Sequence, residues 1–86
     1  MYFVYIVLCS DNTLYTGITS DLIRRVKEHN SSKLGAKYTK GRRPVKLIYQ
    51  KKFENRSEAL IEEARVKKLS REEKLDFITK NKDGED

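Results

Sequence analysis

The chain is expected to fold as a small α+β domain: a three-stranded, mainly antiparallel sheet flanked by helices, in the order β-β-α-β-α-α. Three observations predict it. Two segments rich in β-branched and aromatic residues, 2–9 and 14–19, are joined by the turn-forming Ser10, Asp11, Asn12 and Thr13, which is a hairpin pattern. Pro44 then introduces an alternating segment over 45–53. Two helix-start signatures follow, Asn55 with Glu58 and Ser70 with Glu73.

Eighty-six residues make one domain with one modest core. The organised part is expected over 1–80, with 81–86 a disordered polar tail. Charged and hydrophobic residues each make up 37% of the chain, which suits a compact domain with a highly charged surface. Cys9 is the single cysteine beside a single histidine, so neither an internal disulfide nor a zinc site can be built around it. It reads as a buried thiol. The N-terminus is apolar but lacks a basic leader and is too short to span a bilayer, so a cytoplasmic protein without a membrane partner is expected.

The net charge of +6 is unevenly placed. Residues 33–52 hold eight Lys or Arg and no acid, whereas 1–32 balance three against three and 53–86 hold eight against ten. A one-sided basic segment is the footprint of a polyanion, most often nucleic acid. A solvated lysine-rich surface has the same composition, and charge alone leaves both open.

Taken in order, residues 2–9 are apolar throughout, as in a strand covered on both faces. On the following strand, 14–19, Tyr15 and Gly17 share a face. Gly17 has no side chain, so a neighbour can approach closely there. A helix starts near Ser20, with Thr19 or Ser20 as cap and Asp21 at the positive end of its dipole. Leu22, Ile23 and Val26 form its apolar stripe, and Arg25 and His29 stack one turn apart on its flank. Residues 30–43 are a basic loop with room for one short helical turn. In the third strand Val45, Leu47 and Tyr49 alternate with Lys46, Ile48 and Gln50, and the lysines suit an edge. The next helix runs over about 56–69, with Ala59, Leu60 and Val66 on its apolar face, Ala64 at the edge, and Glu63 among them. A buried carboxylate is costly, so Glu63 snorkels, pairs with Arg25 or Lys67, or holds a metal. A last helix over 71–80 packs through Leu75 and Ile78.

Tyr5, Tyr15, Arg25 and His29 thus converge from three adjacent elements. Phosphodiester hydrolysis needs an activated nucleophile, charge stabilisation at phosphorus and help for the leaving oxygen. A phenol can act as base when a cation lowers its pKa. The planar guanidinium of Arg25 grips two phosphate oxygens. Glu63 can hold one hard cation completed by water and phosphate. His29 can position water, pass on a proton or bond to the phosphate. Taken singly, each residue has an ordinary structural reading: core tyrosine, solvated arginine, packed histidine.

Together they resemble the GIY-YIG endonuclease superfamily, specifically its small stand-alone bacterial members. Tyr5, between Val4 and Ile6, stands as the tyrosine of the first motif, and Tyr15, Thr16 and Gly17 stand for the second, ten residues later. Arg25 falls on the catalytic arginine and His29 on the next active-site position, filled in the family by His or Tyr. Glu63 matches the metal-binding glutamate, followed by Val66 and Lys67 as an aliphatic–lysine pair. The match covers residues 2–80. Phe3 replaces the first glycine and Thr16 the central aliphatic of the second motif. Leu75 stands where some family nucleases carry an asparagine.

The resemblance implies a metal-dependent DNA endonuclease with one Mg²⁺ or Mn²⁺, serving DNA repair or processing. Tyr5, Tyr15, Arg25 and His29 are its implied catalytic residues and Glu63 its metal ligand, with Gly17 and Lys67 structural beside the site. Lys33, Lys37, Tyr38, Lys40, Arg42, Arg43 and Lys46 would track the nucleic-acid backbone, with single-stranded, branched or damaged DNA as partner. The alternatives are a non-catalytic nucleic-acid-binding module that keeps the fold, and an adaptor docking on a larger protein.

Overall fold

The computed structural model describes residues 1–31 and 37–83. The elements are β1 (Tyr2–Leu8), β2 (Leu14–Thr19), α1 (Leu22–Ser31), α2 (Lys37–Lys40), β3 (Lys46–Phe53), α3 (Arg56–Lys67) and α4 (Arg71–Asp83). The expected α+β order is observed, with the short turn α2 added inside the basic loop. Helix α4 continues three residues beyond the expected end at 80. None of the described helices is long and apolar enough to cross a membrane.

The sheet order is β2-β1-β3, with both pairings antiparallel. Central β1 buries Val4, Tyr5, Ile6 and Val7 almost completely, as its unbroken apolar sequence requires. Each such aliphatic side chain contributes about 1.5–3 kcal/mol on burial. One face of the sheet packs Tyr5, Val7, Cys9 and Val45 with Tyr15, Leu22 and Leu47, so α1 covers it. The other packs Ile6, Tyr49, Val66 and Ile78 with Leu14, Ile48 and Phe77, under α3 and α4.

The β1–β2 turn places Asn12 at φ 69°, the left-handed region that asparagine tolerates. Asp11 Oδ1 accepts from the Thr13 amide and hydroxyl at 3.2 and 2.6 Å. The cap of α1 is Asp21, whose Oδ1 accepts from the Arg24 amide at 3.1 Å. Thr19, expected as a cap, instead accepts from the Asp21 amide and sets the turn before the helix. Both downstream helix starts are as expected. Asn55 accepts from the Glu58 amide at 2.9 Å. Ser70 and Glu73 bond reciprocally through Glu73 N–H to Ser70 Oγ and Ser70 N–H to Glu73 Oε1.

Strand β3 departs from simple alternation. Ile6 pairs with Tyr49 and Val7 with Leu47, so the register shifts at Ile48. The extra residue is a bulge. It sends Val45 and Leu47 to the α1 face but Tyr49 to the α3–α4 face, where period-2 reading had put all three together. The start of β3 is clamped to α1 by Asn30. Its Nδ2 donates to the Val45 carbonyl at 3.0 Å, and the Val45 amide donates to its Oδ1 at 2.6 Å. The Arg43–Pro44 peptide just before is cis.

Candidate active site

The α1 face of the hairpin gathers the candidate residues. Tyr5 on β1 lies opposite Gly17 on β2, and its phenol passes directly over that glycine. A Cβ at position 17 would meet the Tyr5 hydroxyl oxygen at 2.5 Å and Cζ at 2.7 Å. The missing side chain is therefore what lets the phenol lie across β2 and reach α1. There its hydroxyl sits 2.7 Å from His29 Nε2.

His29 has no solvent exposure. Its second nitrogen, Nδ1, is 2.9 Å from Thr39 Oγ1 on α2, so the ring is pinned between two hydroxyls. A neutral imidazole donates at one nitrogen and accepts at the other, which two hydroxyls satisfy. Burial, then the nearby Arg25 charge, hold His29 down at about 4, and Arg43 adds to the effect. The imidazole is neutral at physiological pH. Tyr5 is pushed up to about 12, chiefly by burial, while the adjacent Arg25 guanidinium pulls the other way. Its phenol is protonated there.

Arg25 reaches the same place from the preceding turn of α1. It touches Tyr5 electrostatically and donates to Glu28 Oε1 at 3.0 Å. Tyr15 packs edge-on against His29, with centroids 5.3 Å apart, and 6.5 Å from Tyr5. Glu63 on α3 faces this group closely enough for its charge to oppose ionisation of Tyr5, and Lys67 Nζ sits 3.4 Å from its Oε2. One guanidinium and two phenols thus surround a buried imidazole, with the Glu63 carboxylate close enough to act on Tyr5.

A family model described as the GIY-YIG catalytic domain matches residues 1–76. The chain belongs to the GIY-YIG family. A UPF0213 protein of Syntrophus aciditrophicus is 54% identical over 79 residues, covering 92% of this chain and 91% of its own. A UPF0213 protein of Staphylococcus aureus is 53% identical over 77 residues, covering 90% and 93%. Two solution NMR structures are also similar, each at 44% identity over 92% of this chain. One is a UPF0213 protein of Bacillus halodurans, with TM-score 0.59 and 84% of its chain covered. The other is a protein of E. faecalis, with TM-score 0.65 and 83% covered.

GIY-YIG domains typically use a divalent metal. Among the described residues no three or more His, Cys, Asp or Glu side chains cluster. A single carboxylate remains compatible with Mg²⁺, which keeps several waters and takes further oxygens from phosphate. Glu63 fits that description because it is largely buried, it faces Tyr5, and its ion-pair partner Lys67 is exposed. Its neighbour Glu62 behaves differently. Ala59, Glu62 and Val66 form the buried line of α3, so the face is rotated from the expected one, with Glu63 beside it, Leu60 half-buried and Ala64 exposed. Arg65 clamps Glu62 Oε1 at 2.7 and 3.0 Å, which satisfies the buried carboxylate locally.

The basic loop of this GIY-YIG domain divides in two. Lys37, Lys40 and Lys46 are exposed. Arg42 and Arg43 are engaged within the fold: Arg42 Nε donates to Asp11 Oδ2 at 2.9 Å and lies 4.1 Å above the Tyr38 ring. Arg43 Nε donates to the His29 carbonyl at 2.6 Å, near the C-terminal end of α1. Tyr38 stacks on Tyr15 with centroids 5.7 Å apart, so the loop tyrosine packs directly onto a candidate catalytic one. Lys33 lies outside the described residues. Thr39 and Glu28, which orient His29 and Arg25, were not singled out from sequence. Glu28 carried the signal of an i, i+3 acid after Arg25. Thr39 carried none, because only the folded loop brings it to His29.

Proposed function

We propose that this GIY-YIG domain is a metal-dependent DNA endonuclease. The observation that carries the reading is the hydrogen bond between Tyr5 and the buried His29 with Arg25 alongside. Packing alone does not call for it, because an apolar pair would fill the same space without a guanidinium set beside two titratable groups. Arg25 would bind the scissile phosphate, exchanging part of its Glu28 contact for two phosphate oxygens. Tyr5 would take a proton from the attacking water as its own passes to His29 Nε2, with Nδ1–H donating to Thr39. His29 is thus a positioning and relay residue reaching the substrate only through Tyr5. Its low pKa makes the imidazolium a strong acid, so its proton returns to Tyr5 as the phenol releases the water-derived proton to solvent, and the leaving oxygen takes a proton from solvent. Tyr15 would orient the water. Glu63 would hold Mg²⁺ or Mn²⁺, which when bound supplies Lewis-acid polarisation of a phosphate oxygen.

One observation favours a second reading, an adaptor docked on a larger protein. A groove of about 460 Å³ between α1 and β3 is lined by Leu22, Ile23, Val26 and Leu47 together with Lys27 and Gln50, and Ile23 is 77% exposed. A cleavage assay decides between them. Single-stranded, duplex and branched DNA are incubated with and without Mg²⁺ or Mn²⁺, beside Arg25→Ala and Glu63→Ala. The nuclease reading expects metal-dependent cutting lost in both variants, with DNA binding retained in Glu63→Ala. Absence of cutting on every substrate and with either metal would overturn it.

A further inference from the structure

A second cationic feature lies outside the basic loop. Thr13 and Leu14 of the hairpin, Tyr38 of α2, Leu69 between the last two helices, and Arg71 and Lys74 of α4 enclose an open cleft of about 210 Å³. Lys74 is half-buried, yet neither it nor Arg71 forms an ion pair among the described residues. Arg71 commits only its Nε, to the Asn12 carbonyl at 3.0 Å. Burial, with the charge of Lys67 adding to it, holds the Lys74 ammonium below the ordinary lysine value. Two cations converging on a partly desolvated cleft with no acid present are matched by a bound anion.

The position of the cleft says which anion. Tyr38 forms one wall and stacks directly on Tyr15. Lys67, whose charge reaches Lys74, pairs with Glu63. The Tyr38 wall of the cleft is therefore one residue removed from the candidate active site. We propose that this cleft binds a backbone phosphate of a single nucleic-acid strand flanking the cleaved bond, with Lys74 and Arg71 as its ligands and Tyr38 against the adjoining sugar or base. The proposal rests on the nuclease reading for the identity of the strand. Its small volume admits one strand, not a duplex.

The test is binding without cleavage. A fluorescein-labelled single-stranded oligodeoxythymidylate is titrated in chelator over a salt series, and the same unlabelled oligonucleotide is followed by amide NMR shifts of the wild-type chain. The shifts are expected to concentrate at Thr13, Leu14 and Leu69. Lys74→Gln is expected to weaken binding several-fold and to reduce the log–log salt slope by about 0.7, the value for one single-strand phosphate contact. Lys74→Arg restores both. If wild type binds, but its shifts avoid the cleft and Lys74→Gln and Arg71→Gln keep the wild-type slope, the cleft proposal falls while the nuclease reading stands. If wild type binds no oligonucleotide at all, the cleft proposal falls, and the nuclease reading is decided by the cleavage assay on duplex and branched DNA.

Discussion

Tyr5 owes its position to an absence. Gly17→Ala would put a methyl group where the phenol oxygen lies. The ring must move and the His29 hydrogen bond must break. Overpacking of this kind costs about 1–3 kcal/mol, so a lowered urea midpoint together with lost cleavage is expected, and a variant of wild-type stability would show that the phenol has room elsewhere. His29 gives a second expectation, in pH. Its pKa falls from 6.5 to about 4 on folding. Between those values the unfolded chain binds the extra proton, so stability is constant above the window and declines as pH drops through it. Urea denaturation across that range should show the decline, and His29→Gln should flatten it. At this scale the sequence was informative about identity but not state. Tyr5, Tyr15, Arg25 and His29 were legible from spacing on two strands and one helix. The hydroxyl pair that pins the His29 ring was not, because Thr39 is ten residues away in a loop without periodicity.

The elements were legible wherever local chemistry decides them. The hairpin, both downstream helix starts and the edge position of β3 all follow from turn residues, capping pairs and lysine placement. Two features escaped because they depend on contacts between elements. The bulge at Ile48 exists because β3 must serve both cores at once: Leu47 fills one and Tyr49 the other. The buried line of α3 runs through Glu62 because Arg65 neutralises it in place, a pairing that hydropathy does not record. The joint between α1 and β3 is also tertiary. Asn30 satisfies both backbone groups of Val45, so Asn30→Ala strands a donor and an acceptor at a part-buried site. A loss of about 1–3 kcal/mol is expected in chemical denaturation, whereas Asn30→Asp keeps the acceptor and should recover part of it.

For the molecule as a whole, the basic segment that dominates the charge map is only partly available to a partner. Neutralising Lys37, Lys40 and Lys46 together should lower the salt dependence of DNA binding without moving the melting temperature, since all three are exposed. Replacing Arg42 or Arg43 by Ala should lower the melting temperature as well, since Asp11 and the His29 carbonyl lose their partners. Equal melting temperatures for the two sets would contradict that division. Sheet order carries a further consequence, for how the chain folds. Strand β1 has one neighbour a short turn away and another beyond both α1 and the basic loop. Closing the short connection costs far less chain entropy than closing the long one. The hairpin with Tyr5, Tyr15 and Gly17 should therefore be structured in the folding transition state, with β3 docking afterwards. Substitutions at Thr16 should slow refolding, and those at Tyr49 should chiefly speed unfolding. Half of the candidate active site would then be built before the sheet is complete, and the Asn30 clamp would close it.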